Sequence, residues 1–211
     1  AISSSNVATR ARILLEAATQ PLEQLGQTVN GAGYSVLLTD DKGVALAARR
    51  SGRCANTLIN DAFRQGVNLS EANIGTSAMS CAVLERRPVL VAGVEHYLHA
   101  NRVFNCAASP IVDPMGRVLG AIDITRGNPL EPGSALSLVQ QCSARIERQL
   151  MGMLSPWLMI SLGWEQSDPH ATSDLLVALG PDGQVLGLSP RVRELTGLAS
   201  TDGTLRFQDL F

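Results

Sequence analysis

Lysine is almost missing from this chain: Lys42 is the only one, and Gly43 follows it. A phosphate-cradling Gly-Lys-Ser/Thr loop needs a hydroxyl residue at that next position, so the sequence holds no nucleotide-hydrolysing loop. Cationic excess is missing too. Lys+Arg 17 against Asp+Glu 19 gives a formal net charge of -2, which leaves nothing to neutralise a phosphate backbone. Aromatic residues are scarce, at 4%, and cannot build the stacking platforms that hold single strands. Direct nucleic-acid contact by this piece is therefore not expected. No Cys-x-x-Cys pair occurs among Cys54, Cys81, Cys106 and Cys142, and no N-terminal apolar segment resembles a secretory signal. A reduced, cytoplasmic protein is expected. No apolar run approaches the roughly 18 residues of a membrane span; residues 151–164 come nearest and are broken by Pro156 and two glycines. No membrane partner is expected.

What is present is an ordinary globular composition, 45% hydrophobic and 17% charged over 211 residues, enough for one large or two small cores. Apolar positions recur every three or four residues over 7–25, predicting an amphipathic helix that Pro21 kinks or splits. Residues 34–39 and 44–48 around Asp40-Asp41-Lys42-Gly43 predict a β-hairpin. A short helix over 56–63 precedes a second helix over 74–84, with Asn73 as its N-cap and Thr76 and Ser77 in its first turn. A strand over 88–92 and a hairpin over 103–125 come next, the latter turning on Asp113-Pro114-Met115-Gly116, where Pro at the second position suits a type I turn. Helical spacing returns over 135–153. Ser155-Pro156 then predicts a connecting helix carrying Trp157, Leu158 and Leu162, and the polar run 165–173 predicts a linker. A third hairpin, 175–179 and 184–188, turns on Gly180-Pro181-Asp182-Gly183.

The stretch from Asn73 to Thr125 is the most informative. It contains Asn73-Ile74-Gly75-Thr76-Ser77-Ala78-Met79-Ser80, then Glu95-His96-Tyr97, then Asn105-Cys106-Ala107-Ala108-Ser109-Pro110-Ile111, then Gly116-Arg117-Val118-Leu119-Gly120-Ala121-Ile122-Asp123. In this order and combination the pieces resemble the GAF sensor domain of sigma-54-dependent transcriptional activators, especially regulators of acetoin and glycerol catabolism. The resemblance covers residues 21–150. Residues 174–211, with a strand, an Asp-Gly turn, a strand and a short helix ending in Gly197-Leu198, are similar to the opening of a PAS domain and too short to bury a full core of that type. The expectation is therefore α+β: a GAF domain with an antiparallel central sheet and flanking helices over 1–154, a connecting helix and linker over 155–173, and the N-terminal part of a PAS domain over 174–211. The sequence is expected to end inside that last domain.

The resemblance implies a sensory, non-catalytic region that binds a small effector, or a regulatory protein such as a dihydroxyacetone-kinase subunit, and relays the signal to downstream ATPase and DNA-binding modules. Ligand binding is expected at Asn73, Thr76, Ser77, Ser80, His96, Tyr97, Asn105, Cys106 and Asp123. Ser77 stands where many relatives have Asn, and Met79-Ser80-Cys81 replaces a commoner Ile-Gly-Thr run, which disfavours acetoin itself. Hydroxyls near a helix start can meet a ligand or merely satisfy their own helix end. His96, His99 and a distant Cys106 make a poor zinc set, so no metal is expected, and no motif implies a cofactor. Asp123 interrupts an apolar strand, so its charge must be paired, hydrogen-bonded or turned to a cavity; period-two alternation puts it on one face with Leu119 and Ala121. Apolar seams on the two long helices predict a homodimer. Two alternatives stand beside the sensor: a thiol-dependent GAF reductase of methionine sulfoxide acting through Cys81 and Cys106, which would need a lowered thiol pKa, and a ligand-free dimerisation module.

Overall fold

The computed structural model describes residues 4–52, 57–127, 132–162, 175–201 and 203–210. Cys54, the start of the 56–63 helix and the polar run 165–173 lie outside the described residues. The chain divides into two compact units, Ala1–Ile111 with Val118–Ile146, and Val112–Arg117 with Glu147–Phe211.

The first unit is α+β. Helix α1 (Ser4–Asn30) runs unbroken through Pro21 and turns a buried stripe of Leu14, Ala18, Leu22, Leu25 and Val29 inward, the three-to-four spacing of one helix face. Strands β1 (Ser35–Asp40) and β2 (Ala45–Arg49) form the first hairpin, closed by Asp40, whose Oδ1 accepts the amides of Lys42 and Val44. Three short helices come next: α2 (Thr57–Ala62), α3 (Glu71–Ile74) and α4 (Ala78–Glu85). Strands β3 (Val89–Ala92), β4 (Asn105–Val112) and β5 (Val118–Arg126) complete an antiparallel five-stranded sheet of order β2-β1-β5-β4-β3. Helix α5 (Pro132–Gly152) ends the unit and supplies residues from Glu147 onward to the second.

Both faces of the sheet are covered, which explains why β1, β4 and β5 are buried at nearly every position instead of alternating. On one face α1 packs against β1, β2 and β5. Helix α5 lies beside it, with the Cys142 thiol donating to Pro21 O and Arg145 to Gln24 Oε1. On the other face a core of Leu37, Ile59, Phe63, Leu69, Met79, Phe104 and Ala121 is shared between the sheet and the short helices; burying each large side chain contributes about 1.5–3 kcal/mol. Gly120, paired with Asp40, lets β5 lie close against the end of β1, since a Cβ there would sit 1.9 Å from Thr39 O.

The structure corrects the reading of residues 73–84. Helix α3 ends at Ile74, Gly75 takes φ 69° and ψ -163°, and Ser77, not Asn73, caps α4, its hydroxyl accepting the Ser80 amide at 3.3 Å. Asn73 sits inside α3, and Gly75 breaks what the sequence presents as one helix because only glycine occupies that backbone region readily.

The second unit contains β6 (Leu158–Leu162), β7 (Leu175–Leu179) and β8 (Val185–Leu188) in an antiparallel sheet of order β6-β7-β8, with helix α6 (Pro190–Thr196). Val177, Leu179, Val185, Leu188 and Val192 form its core. The connecting helix expected from Ser155-Pro156 is instead the strand β6, paired to β7 along its length; a five-residue, mostly apolar run has no period by which to tell the two apart, and pairing decides. The Asp113–Gly116 turn belongs to this unit. Asp113 Oδ1 accepts the amides of Met115 and Arg117 at 2.9 Å each, and the buried Arg193 donates to the carbonyls of Leu188, Pro114 and Asp113. No helix among the described residues is long and apolar enough to cross a membrane.

Candidate functional site

The first unit holds a cavity of about 370 Å³ between the sheet and the short helices, within the range of small-molecule sites. Its lining is mostly apolar, with Leu58, Ile59, Phe63 and Leu69 from the region of α2, Ile74 and Met79 from α3 and α4, and Phe104 before β4. Ser77, His96, Cys106 and Thr125 contribute polar atoms at the buried wall, and Asp61, Asn68 and Asn101 lie nearer solvent.

The segment 93–104 closes one side of this space, and the motif residues hold it there. Glu95 Oε2 accepts the Ala92 amide at 2.7 Å and fixes its own turn. His96 Nδ1 donates to Thr76 O at 3.1 Å, Asn101 Nδ2 donates to Ile74 O at 3.0 Å, and Arg102 Nε donates to His96 O at 3.4 Å. Tyr97 lies outside, 76% exposed, over Gly75, where an added Cβ would come within 3.1 Å of the tyrosine Cβ. The two motifs around Gly75 and His96 are thus the two sides of one packed corner.

Of the nine residues expected at a ligand, Ser77, His96 and Cys106 line the cavity. The other six do not. Asn73 Nδ2 donates to Asn68 O at 3.4 Å, Thr76 gives His96 its carbonyl, Ser80 Oγ accepts from Ser77, and Tyr97 faces outward. Asn105 is half-buried and pairs with Ala92 across β3 and β4. Asp123 is fully buried behind Thr125, which does face the cavity. The alternation that groups Asp123 with Leu119 and Ala121 continues to Thr125, so that signal pointed one residue pair further along the strand. The apolar lining from Leu58 to Leu69 carries no comparable mark, because in sequence it is indistinguishable from core.

A buried polar chain runs from the sheet to this corner. Thr125 Oγ1 lies 2.6 Å from Asp123 Oδ1 and 3.1 Å from Cys106 Sγ, and Cys106 Sγ lies 3.7 Å from His96 Nε2. Asp123 Oδ2 has no hydrogen-bond partner. Burial pushes the Asp123 carboxyl up to about 7, against the opposing bond from Thr125. Burial also pushes the Cys106 thiol well up, helped by the Asp123 charge and opposed by Thr125. Cys81 is raised by burial and then by Glu71 and Glu85, and Cys142 is pushed up to about 12 by burial. Both Cys81 and Cys106 therefore favour the thiol over the nucleophilic thiolate that a reductase needs. Among the described residues no three His, Cys, Asp or Glu side chains come together as a metal site.

Residues 6–147 match the model of the MimR N-terminal domain. The chain belongs to that family. Over 202 residues, reaching past that domain, it is 28% identical to the acetoin catabolism regulatory protein of Cupriavidus necator, covering 90% of this chain and 30% of that protein. Over 139 residues the chain is 26% identical to a signal-transduction and transcriptional-control protein of Clostridium beijerinckii, covering 66% of this chain and 22% of that protein. The chain thus spans less than a third of either relative. Among solved structures, the Escherichia coli DhaR(N)–DhaL complex aligns with a TM-score of 0.63 at 15% identity, over 99% of this chain and 72% of that one, a likeness of fold.

Proposed function

We propose that this chain is the non-catalytic sensory region of a bacterial sigma-54-dependent transcriptional activator, that its first unit is a GAF domain, and that residues 174–211 open a PAS domain. A small effector fills the cavity between the sheet and α4. The observation that carries this reading is that Ser77 and His96, residues of the family-like motifs joined at one corner through Thr76 O, line a cavity of about 370 Å³. A guest that binds the closed corner better than the open one shifts the equilibrium between them, and α5, which leaves this unit for the second, is the element through which the shift is passed on. The relatives are transcriptional regulators by name, and the raised thiols disfavour the reductase alternative.

Calorimetric titration with acetoin, butanediols, glycerol and dihydroxyacetone tests the reading. Saturable heat with at least one is expected, acetoin not being the best; silence with all of them contradicts direct sensing of this class. A second reading is favoured by Val94 and Tyr97, 80% and 76% exposed on the closing segment beside Leu98 and Val103, and by the DhaR N-terminal region having been solved with DhaL. A regulatory protein, such as a dihydroxyacetone-kinase subunit, then docks on that segment, and binding of the subunit without any small-molecule response distinguishes it.

A further inference from the structure

The hydrogens on the buried polar wall can be assigned from one fixed end. Thr76 O is a carbonyl and only accepts, so His96 Nδ1 carries the hydrogen of the 3.1 Å contact and, in the neutral ring, Nε2 is an acceptor. The thiol of Cys106 then donates to it. If Asp123 is ionised, the Thr125 hydroxyl donates to Oδ1 at 2.6 Å. If Asp123 is protonated on Oδ1, it donates to Thr125, and the Thr125 hydroxyl donates to Cys106 Sγ at 3.1 Å. The chain then runs in one direction, from Asp123 through Thr125, Cys106 and His96 to Thr76 O. In either state the Thr125 hydrogen is engaged within the protein and its oxygen keeps a lone pair toward the cavity. Ser77 is likewise committed, donating to Ser80 Oγ at 3.0 Å while accepting the Ser80 amide.

Among the described residues no lysine or arginine lines the cavity, and the carboxylate at its edge, Asp61, is paired with Arg64. An anionic guest finds no countercharge there and is penalised for its desolvation. At the buried wall a carbonyl guest meets side chains whose hydrogens are engaged inside the protein, those of Ser77, Cys106, Thr125 and the neutral His96 ring, while the amide donors of Asn68 and Asn101 lie nearer solvent. A hydroxyl guest meets what it needs.

We propose that this cavity selects an uncharged, mainly apolar molecule bearing a hydroxyl, and prefers the alcohol to the ketone of the same skeleton, with Thr125 Oγ1 as the acceptor of the ligand hydroxyl. The proposal rests on the cavity being an effector site and names the chemistry of its occupant.

Cyclohexanol and cyclohexanone have the same skeleton and serve as probes, with cyclohexanecarboxylate as the charged control. Titrations of the whole chain, followed by backbone amide shifts of Ser77, His96 and Thr125, are expected to give a dissociation constant for the alcohol at least about fivefold below that of the ketone, the worth of one net hydrogen bond, and no saturation with the carboxylate. Thr125→Val is expected to bring alcohol and ketone together, while Thr125→Ser, which keeps the hydroxyl, restores the difference; wild type alone already decides the order if the valine variant fails to fold. Equal or tighter binding of the ketone overturns the hydroxyl preference and leaves the effector cavity standing. Carboxylate binding as tight as the alcohol overturns the requirement for an uncharged guest. No saturable shift with any probe overturns the preference and counts against the cavity as an effector site.

Discussion

Asp123 and Glu147 are buried carboxyls that desolvation pushes up to about 7, Glu147 against the Val112 amide and the charge of Arg193. In the unfolded chain each titrates near its ordinary value, 3.8 and 4.5. Between those values and about 7 the folded chain holds protons that the unfolded chain has lost, so stability is greatest at low pH within this window and falls as pH rises, by about 1.4 kcal/mol per unit for each group. Melting of the wild type is therefore expected to be higher at pH 5 than at pH 8. Asp123→Asn removes its share of the slope, and the slope that Glu147 supplies remains. A melting temperature that rises from pH 5 to pH 8 contradicts the assignment. A second residue-scale test separates the two cap candidates: Ser77→Ala costs about 1 kcal/mol through the lost cap, whereas Asn73→Ala stays within roughly 0.5 kcal/mol, both read by chemical denaturation.

At the scale of elements, the corner between α3 and α4 depends on Gly75. Alanine there combines a left-handed backbone with a Cβ pressed on Tyr97, and Gly75→Ala is expected to cost about 1–3 kcal/mol and to loosen the segment 93–104, visible as faster amide exchange at His96 and Phe104. Unchanged exchange at both contradicts the corner's role. The elements themselves divide by how they show in sequence. The hairpins of β1-β2, β4-β5 and β7-β8 were legible because Asp40, Asp113 and Asp182 with their glycines announce turns whatever surrounds them. Helices α1 and α5 were legible because they are long enough for a period to accumulate. The break at Gly75 was not, since Thr76 and Ser77 read equally well as the first turn of a longer helix, and β6 was not, since its state was decided by β7. The cavity was legible only along its polar wall. Ser77, His96 and Cys106 stand out by type, while Phe63, Leu69 and Phe104 are core residues set apart only by facing unfilled space, which no residue type encodes.

For the whole molecule, the sensor proposal makes α5 the thread between the units and adds self-association. A parallel homodimer of the chain is expected in sedimentation at roughly tens of micromolar, a range set by ordinary affinities; a monomer at that concentration contradicts it. A saturating guest is expected to stabilise the folded first unit by mass action, about 2.7 kcal/mol at a hundredfold excess over its dissociation constant. Sensing and this stabilisation both depend on one property of the first unit: the space walled by Ser77, His96, Phe104 and Thr125 takes a guest. Amide shift mapping with an uncharged alcohol decides it, on wild type and on Ala62→Phe, since Ala62 of α2 also lines the cavity and a phenyl ring there fills it. Saturable shifts centred on Ser77, His96 and Thr125 are expected in wild type, and their loss in the filled variant. Shifts absent from these residues, or unchanged when the cavity is filled, would contradict it.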